Sequence, residues 1–150
     1  MTTTMNTLVM GIGNLLLCDE GLGVHAAHAL QQEQMPSNVV VLDAGTAFLD
    51  ALPEIERADR IIVVDAMKAG EAPGSIYRVP FEDCARPECI ASLHGFDISR
   101  VLYMSGRNTA PEVIVIGAEP ARVEWGTELS STLQAVLPRL LDVIRNEIAN

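Results

Sequence analysis

The chain has 150 residues, of which 49% are hydrophobic and 20% are charged, and its formal net charge at pH 7 is −10. This length suits a single domain, spanning residues 1–150, that can bury a core without disulfide support. So strong a negative charge argues against nucleic acid or an anionic membrane surface as the partner.

Apolar patterning predicts strands that alternate with helices. In chain order we predict a strand at residues 8–12, a helix at 20–34, a strand at 39–42, a short helix at 48–55, a strand at 60–64, a strand at 74–79, a helix at 97–105, a strand at 113–116 and a helix at 129–148. A continuous apolar run indicates that the first strand is buried on both faces, and the second is interpreted as a buried strand in the same way, whereas 74–79 alternates as an edge strand does. Pro138 is expected to kink the last helix or to begin a new one. The pattern predicts a three-layer α/β sandwich on a mostly parallel sheet.

Acidic side chains stand at the carboxyl ends of the first three predicted strands. The first strand runs into a glycine-flanked turn like a phosphate-binding loop, but Asp19 and Glu20 occupy the helix start, where a phosphate would need free N–H groups and positive potential. Asp43 and Asp65 follow the second and third strands, and the carboxyl ends of parallel strands meet at one edge. A cation site or a proton transfer is therefore favoured there, with helix capping as the alternative reading of Asp43 and Asp65.

The three histidines fall into two groups. His25 and His28 lie three residues apart in the first predicted helix, without the Glu of a zinc-protease helix, and are interpreted as structural. His94 lies at the junction of a loop and a helix. A neutral imidazole there would complete an oxygen and nitrogen site with Glu20 and Asp65, which suits nickel or zinc better than magnesium or calcium. A capping role for His94 stays open on spacing alone.

Five motifs occur in a fixed order over nearly the whole chain. They are G-x-G-N-x-L-x-x-D-E-G-x-G-V at 11–24, L-D-A-G-T at 42–46, I-I-V-V-D-A at 61–66, L-H-G at 93–95, and I-G-A-E-P at 116–120 followed by W-G at 125–126. This ordered set resembles the nickel–iron hydrogenase maturation endopeptidases. The resemblance implies a five-stranded mixed sheet between helices with one antiparallel edge strand, of the phosphorylase/hydrolase-like kind. It implies a hydrolase, a peptidase that removes the C-terminal extension of the hydrogenase large-subunit precursor after nickel insertion.

By motif position, the resemblance places Glu20, Asp65 and His94 at the metal. Two routes to catalysis stay open: Lewis-acid activation of water or of the scissile carbonyl, or nickel carried by the substrate as a recognition handle. In the second route Asp43 or Asp65 is the general base, as in an aspartyl protease. We favour the recognition handle. Three weak ligands would gain coordination energy from the nickel of a loaded precursor and none from an empty precursor, and this difference would distinguish the two. Zinc or another divalent ion is expected to replace nickel in vitro.

Two alternatives from other functional classes are retained. The first is a dinucleotide-binding module, since Gly11-x-Gly13 follows a strand and Asp43 ends the second strand. Against it, Leu16 stands where a third glycine is needed, and the carboxylates of Asp19 and Glu20 would repel a pyrophosphate. The second is a noncatalytic nickel-dependent hydrogenase chaperone, which would use the same ligands.

Cysteine usage and hydropathy indicate the compartment. The chain has three cysteines and no C-x-x-C pair, so a disulfide framework or a structural zinc site is not expected. There is no basic amino-terminal region and no apolar run as long as a membrane span. We therefore expect a cytoplasmic protein without membrane insertion, with a monomer as the favoured state.

Overall fold

Five strands form one sheet between helices. The computed structural model describes residues 4–46, 48–84, 106 and 109–150. The strands are β1 (Thr7–Ile12), β2 (Val39–Gly45), β3 (Arg60–Ala66), β4 (Ile76–Pro80) and β5 (Glu112–Ala118), and the α-helices in this part of the chain are α1 (Leu22–Gln31), α2 (Leu52–Arg57) and α3 (Ser131–Ala149). Short 3-10 turns occupy Cys18–Gly21, Phe48–Ala51 and Phe81–Asp83. The helix predicted at 97–105 lies outside the described residues.

The strand order is β2-β1-β3-β5-β4. β1 pairs in parallel with β2 and β3, β3 pairs in parallel with β5, and β4 is antiparallel to β5. This confirms the predicted mixed α/β sheet and its antiparallel edge strand. The parallel strands deliver their carboxyl ends, and the turns that follow, to one edge of the sheet. Within the described residues, no helix is both long and apolar enough to cross a bilayer.

The prediction that the second strand is buried on both faces is wrong. β2 has β1 as its one neighbour in the sheet, and the side chain of Val40 is 44% exposed. β1 and β3, by contrast, are buried along their whole length. The Val-Val-Val-Leu run of β2 serves both faces: Val39 and Val41 pack in the core under α1, and Leu42 packs against the core on the opposite face.

Two helix boundaries also differ from the prediction. Residues Cys18–Gly21 form a 3-10 turn, so α1 begins at Leu22 and ends at Gln31 rather than spanning 20–34. Pro138 does not begin a new helix, because α3 continues through it from Ser131 to Ala149. The proline lies on the exposed side of α3, where water can satisfy the carbonyl group that its missing N–H leaves unpaired.

Alternating strand residues fill two separate cores, one on each face of the sheet. The face covered by α1 and α3 is filled by residues that include Val9, Leu22, Ile62, Ile116, Leu133 and Leu140. The face covered by α2 is filled by residues that include Met10, Ile12, Ile55, Ile61, Val63 and Val115. Since strand side chains alternate, this division fixes the face to which each strand-end carboxylate points.

A buried ion cluster ties the end of α3 to the sheet. The guanidinium of Arg78 donates two hydrogen bonds to the carboxylate of Glu147, at 2.6 and 3.0 Å. The Arg60 guanidinium lies 3.9 Å from the same carboxylate, and both side chains are nearly inaccessible to solvent. Hydrogen bonding from Arg78, followed by the Arg78 and Arg60 charges, lowers the pKa of Glu147 against the opposing effect of burial.

Candidate active site

Asp19 and Glu20 are neighbours with different environments, and Asp19 is the structural one. Its side chain is fully buried. Oδ2 accepts hydrogen bonds from the backbone N–H groups of Ala121 and Arg122 and from the Ser130 hydroxyl, each at 2.8 Å. Oδ1 accepts the backbone N–H of Ser130 at 2.7 Å. Both oxygens are therefore engaged in fastening the turn after β1 to the segment between β5 and α3.

Glu20 lies at the carboxyl end of β3. Its turn packs against that strand, and its side chain keeps 14% of its surface exposed. Oε1 is 4.0 Å from the Nζ atom of Lys68, three residues beyond Asp65. Glu20 is thus a carboxylate at the edge of the sheet with Lys68 beside it, a neighbour that no sequence pattern indicated.

Asp65 is fully buried near the end of β3. It follows Ile61 and Val63 in the alternation, so it belongs to the face covered by α2. Oδ1 accepts the backbone N–H of Ala66 at 2.8 Å. Opposite it on β5 is Gly117, where an added Cβ atom would lie 2.1 Å from the Asp65 carbonyl oxygen. The turn that carries Glu20 packs against β3, so Asp65 and Glu20 share this strand as a neighbour.

Asp43 is placed differently. It follows Val39 and Val41, which contribute to the core under α1, so it belongs to the opposite face from Asp65, with β1 between the two strands. Its Oδ2 lies 2.7 Å from Nε2 of His28 on α1. His28, interpreted from the sequence as structural, is thus the direct partner of a candidate base. Only the packing of α1 over β2 reveals this pair.

The metal site remains a prediction. His94 lies outside the described residues. Among the residues that the structure does describe, no group of three or more His, Cys, Asp or Glu side chains is arranged to hold a metal ion. The carboxylates of Glu20 and Asp65 could supply two oxygen ligands, and the imidazole of His94 is the donor that would favour nickel or zinc over a harder cation.

The glycines of the first motif allow helix and sheet to pack closely. A Cβ atom added to Gly23 would lie 2.0 Å from the carbonyl oxygen of Val64 and 2.3 Å from that of Ile12. A Cβ added to Gly11 would lie 2.1 Å from the carbonyl oxygen of Gly23. Backbone atoms occupy the space that a side chain would need at these two positions. Close packing of helix and sheet therefore explains the glycines of the motif, and a pyrophosphate ligand is not needed to explain them.

Glu119 orders the loop that carries Lys68. Its Oε1 accepts the backbone N–H groups of Ala69 and Gly70, both at 2.9 Å, and the Tyr77 hydroxyl at 2.7 Å. Burial, together with the hydrogen bond to Glu119, raises the pKa of Tyr77 to about 12. Glu119 stands in the I-G-A-E-P motif, but its structural role depends on the loop after β3 and could not be inferred from the motif alone.

The fold is one that is found in a class of peptidases. Residues 24–147 match the family described as hydrogenase maturation protease, a range that contains Asp43, Asp65 and His94 but not Glu20. The chain is 28% identical to the hydrogenase maturating endopeptidase HybD of E. coli, with a TM-score of 0.81 over 97% of this chain and 93% of HybD.

Two sequence relatives are named as hydrogenase expression/formation proteins. The hydrogenase expression/formation protein HupD of Thiocapsa roseopersicina is 36% identical over 131 residues, which are 83% of this chain and 58% of the relative. HupD of Rhizobium leguminosarum bv. viciae is 35% identical over 143 residues, 90% of this chain and 70% of the relative. The chain therefore belongs to the hydrogenase maturation protease family.

Proposed function

We propose that this chain is an endopeptidase that removes the C-terminal extension of a nickel–iron hydrogenase large-subunit precursor after nickel has been inserted. The observation that carries the proposal is the position of two carboxylates at one end of β3, Asp65 on the strand and Glu20 on the turn packed against it, on the fold of a family of peptidases. The protein is proposed to act in the cytoplasm as a monomer.

In this proposal the nickel belongs to the substrate. Glu20, Asp65 and His94 contact the nickel of a loaded precursor and thereby admit it. Two carboxylates and one imidazole offer no thiolate, so their own hold on a free ion is weak and the precursor's ligands supply the rest. Lys68 beside Glu20 supports this arrangement, because its ammonium group partly offsets the carboxylate charge until the nickel arrives.

A carboxylate accepts the proton of the attacking water. Asp43 and Asp65 are the two candidates, and their surroundings differ. Asp65 is buried and is itself one of the proposed nickel contacts, whereas Asp43 is partly exposed and hydrogen-bonded to His28. If Asp43 is the base, His28→Asn lowers kcat and changes its pH profile. If Asp65 is the base, His28→Asn leaves both unchanged.

The test is to incubate the protein with nickel-loaded and nickel-free precursor and to follow the mass of the large subunit. We expect cleavage of the loaded form alone, and loss of that cleavage in Glu20→Gln. Equal cleavage of both forms would refute the hypothesis that nickel is a recognition handle. The remaining mechanisms would be activation of water by the metal, or catalysis by the carboxylates alone. Binding of loaded precursor without cleavage would refute the peptidase and favour the chaperone.

A further inference from the structure

Three exposed apolar side chains gather beside the turn that carries Glu20. Trp125 is 81% exposed, Leu16 is 53% exposed and Val123 is 39% exposed. Trp125 is the only tryptophan of the chain. We call these three residues the apolar rim.

Backbone pairing holds the rim together. The N–H of Gly126 donates to the carbonyl oxygen of Leu16 at 2.9 Å, and the N–H of Cys18 donates to the carbonyl oxygen of Gly126 at 2.8 Å. The N–H of Asp19 donates to the carbonyl oxygen of Arg122 at 3.1 Å, beside the bonds that the Asp19 carboxylate accepts from this segment. Trp125 is therefore presented on a fixed backbone, which reduces the ordering cost of binding a partner.

The rim is continuous with the proposed active site. Leu16 begins the paired segment that leads through Cys18 and Asp19 to Glu20. The rim is therefore a surface that neighbouring parts of a protein substrate can reach when the cleavable segment lies at Glu20. Tryptophan is among the residues that are enriched where a few side chains dominate the binding energy of a protein interface.

Size and charge argue against a second copy of the chain as the occupant. Trp125 exposes on the order of 200 Å², and the three side chains together expose a few hundred Å², below the roughly 800 Å² that each partner buries in a standard stable interface. Two copies that each carry a formal charge of −10 also repel each other. A transient contact with a substrate is compatible with both observations.

We propose that the apolar rim is the docking surface for the folded body of the protein substrate, outside the segment that is cleaved. This inference rests on the proposed function, since it takes the hydrogenase large-subunit precursor as that substrate. Trp125 enters an apolar depression on the precursor, with Leu16 and Val123 excluding water around it. The contact raises affinity without taking part in the chemistry.

Steady-state processing of loaded precursor tests the proposal. Trp125→Ala is expected to raise KM about tenfold or more and to leave kcat within about twofold, because the side chain touches neither the nickel nor the scissile bond. Val40→Ala, an exposed apolar residue on β2, is the matched control and should change neither constant. Leu16→Ser is the second rim variant, expected to raise KM by a smaller factor. Equal KM values in wild type and both rim variants would refute the docking surface.

Photocrosslinking separates this inference from the proposed function. The analogue p-benzoylphenylalanine replaces Trp125 in one variant and Val40 in another, and each is irradiated with loaded precursor. Attachment to the precursor from position 125 and not from position 40 supports the docking surface, even if no cleavage occurs and the proposed peptidase activity fails. Attachment only to a second copy of the chain, or none during normal cleavage, overturns the docking surface and leaves the peptidase activity intact.

Discussion

Asn in place of Asp19 should destabilise the protein strongly, although it changes few atoms. The buried carboxylate accepts four hydrogen bonds, three on Oδ2 and one on Oδ1. The least costly amide orientation keeps the oxygen at Oδ2 and turns the NH₂ group toward the backbone N–H of Ser130. That N–H is then a buried donor without an acceptor, which costs about 1–3 kcal/mol.

The other three bonds also weaken, because they change from charge-assisted to neutral, at about 1 kcal/mol each. The lower desolvation cost of a neutral amide offsets part of this loss. We therefore expect Asp19→Asn to lower the free energy of unfolding by roughly 3–5 kcal/mol, out of the 5–15 kcal/mol typical of a whole domain.

Urea unfolding at pH 7 and 25 °C, followed by far-ultraviolet circular dichroism, measures this change. Glu20→Gln is the matched control one residue away. Its half-exposed lysine partner at 4.0 Å contributes at most about 1 kcal/mol, so stability should hardly change. A loss below about 0.5 kcal/mol in Asp19→Asn, or a loss above about 2 kcal/mol in Glu20→Gln, would contradict the assigned roles.

Three further predictions concern stability and are checked by the same urea titration. Glu147→Ala removes the carboxylate partner of buried Arg60, which keeps its hydrogen bonds to the carbonyl groups of Ile148 and Asn150, and should cost about 3 kcal/mol. Because the folded pKa of Glu147 is lowered, its contribution is present above the unfolded pKa and is lost as pH falls through the folded pKa, so the stabilities of wild type and Glu147→Gln should converge in acid. Gly23→Ala should prevent stable folding, whereas Gly70→Ala, with open space but a φ of +93°, should cost about 1 kcal/mol. Tyr77→Phe should cost about 1 kcal/mol at pH 7; since the folded pKa of Tyr77 is raised to about 12, the wild-type advantage is present below the unfolded pKa of 10.0 and disappears as pH rises toward 12. A constant Tyr77→Phe difference up to pH 12, or an unfolding midpoint of Gly23→Ala equal to that of Gly70→Ala, would contradict these assignments.

The sequence predicted the burial of the central strands better than that of the edge strand β2. Continuous apolar runs located β1 and β3 because central parallel strands need apolar side chains on both faces. The apolar run in β2 led to a wrong prediction of burial on both faces, since the exposure of a strand depends on its place in the strand order and not on its composition. That Glu20 and Asp65 share one end of the sheet followed from the rule that parallel strands place their carboxyl ends together.

Contacts between distant parts of the chain could not be predicted. Asp19 and Glu20 look equivalent in the sequence. The N–H groups of Ala121, Arg122 and Ser130, more than 100 residues later, bind the carboxylate of Asp19 and make it a structural residue, whereas Glu20 is left as the candidate ligand. The pairing of Asp43 with His28 likewise depends on how α1 crosses β2. The role of His94 stays a prediction, because that residue lies outside the described part of the chain.

The place of β5 between β3 and β4 constrains the order of assembly during synthesis. β1, β2 and β3 are complete once the ribosome has passed residue 66, but β3 then presents an unpaired edge, because its second neighbour is β5 and not β4. Such an edge can pair with another chain. β4 emerges before β5 and has no partner until residues 112–118 arrive. The nascent chain therefore passes through a stage at which a chaperone that covers the edge of β3 should matter. The turn that carries Asp19 and Glu20 is fastened only later, when the last quarter of the chain has docked.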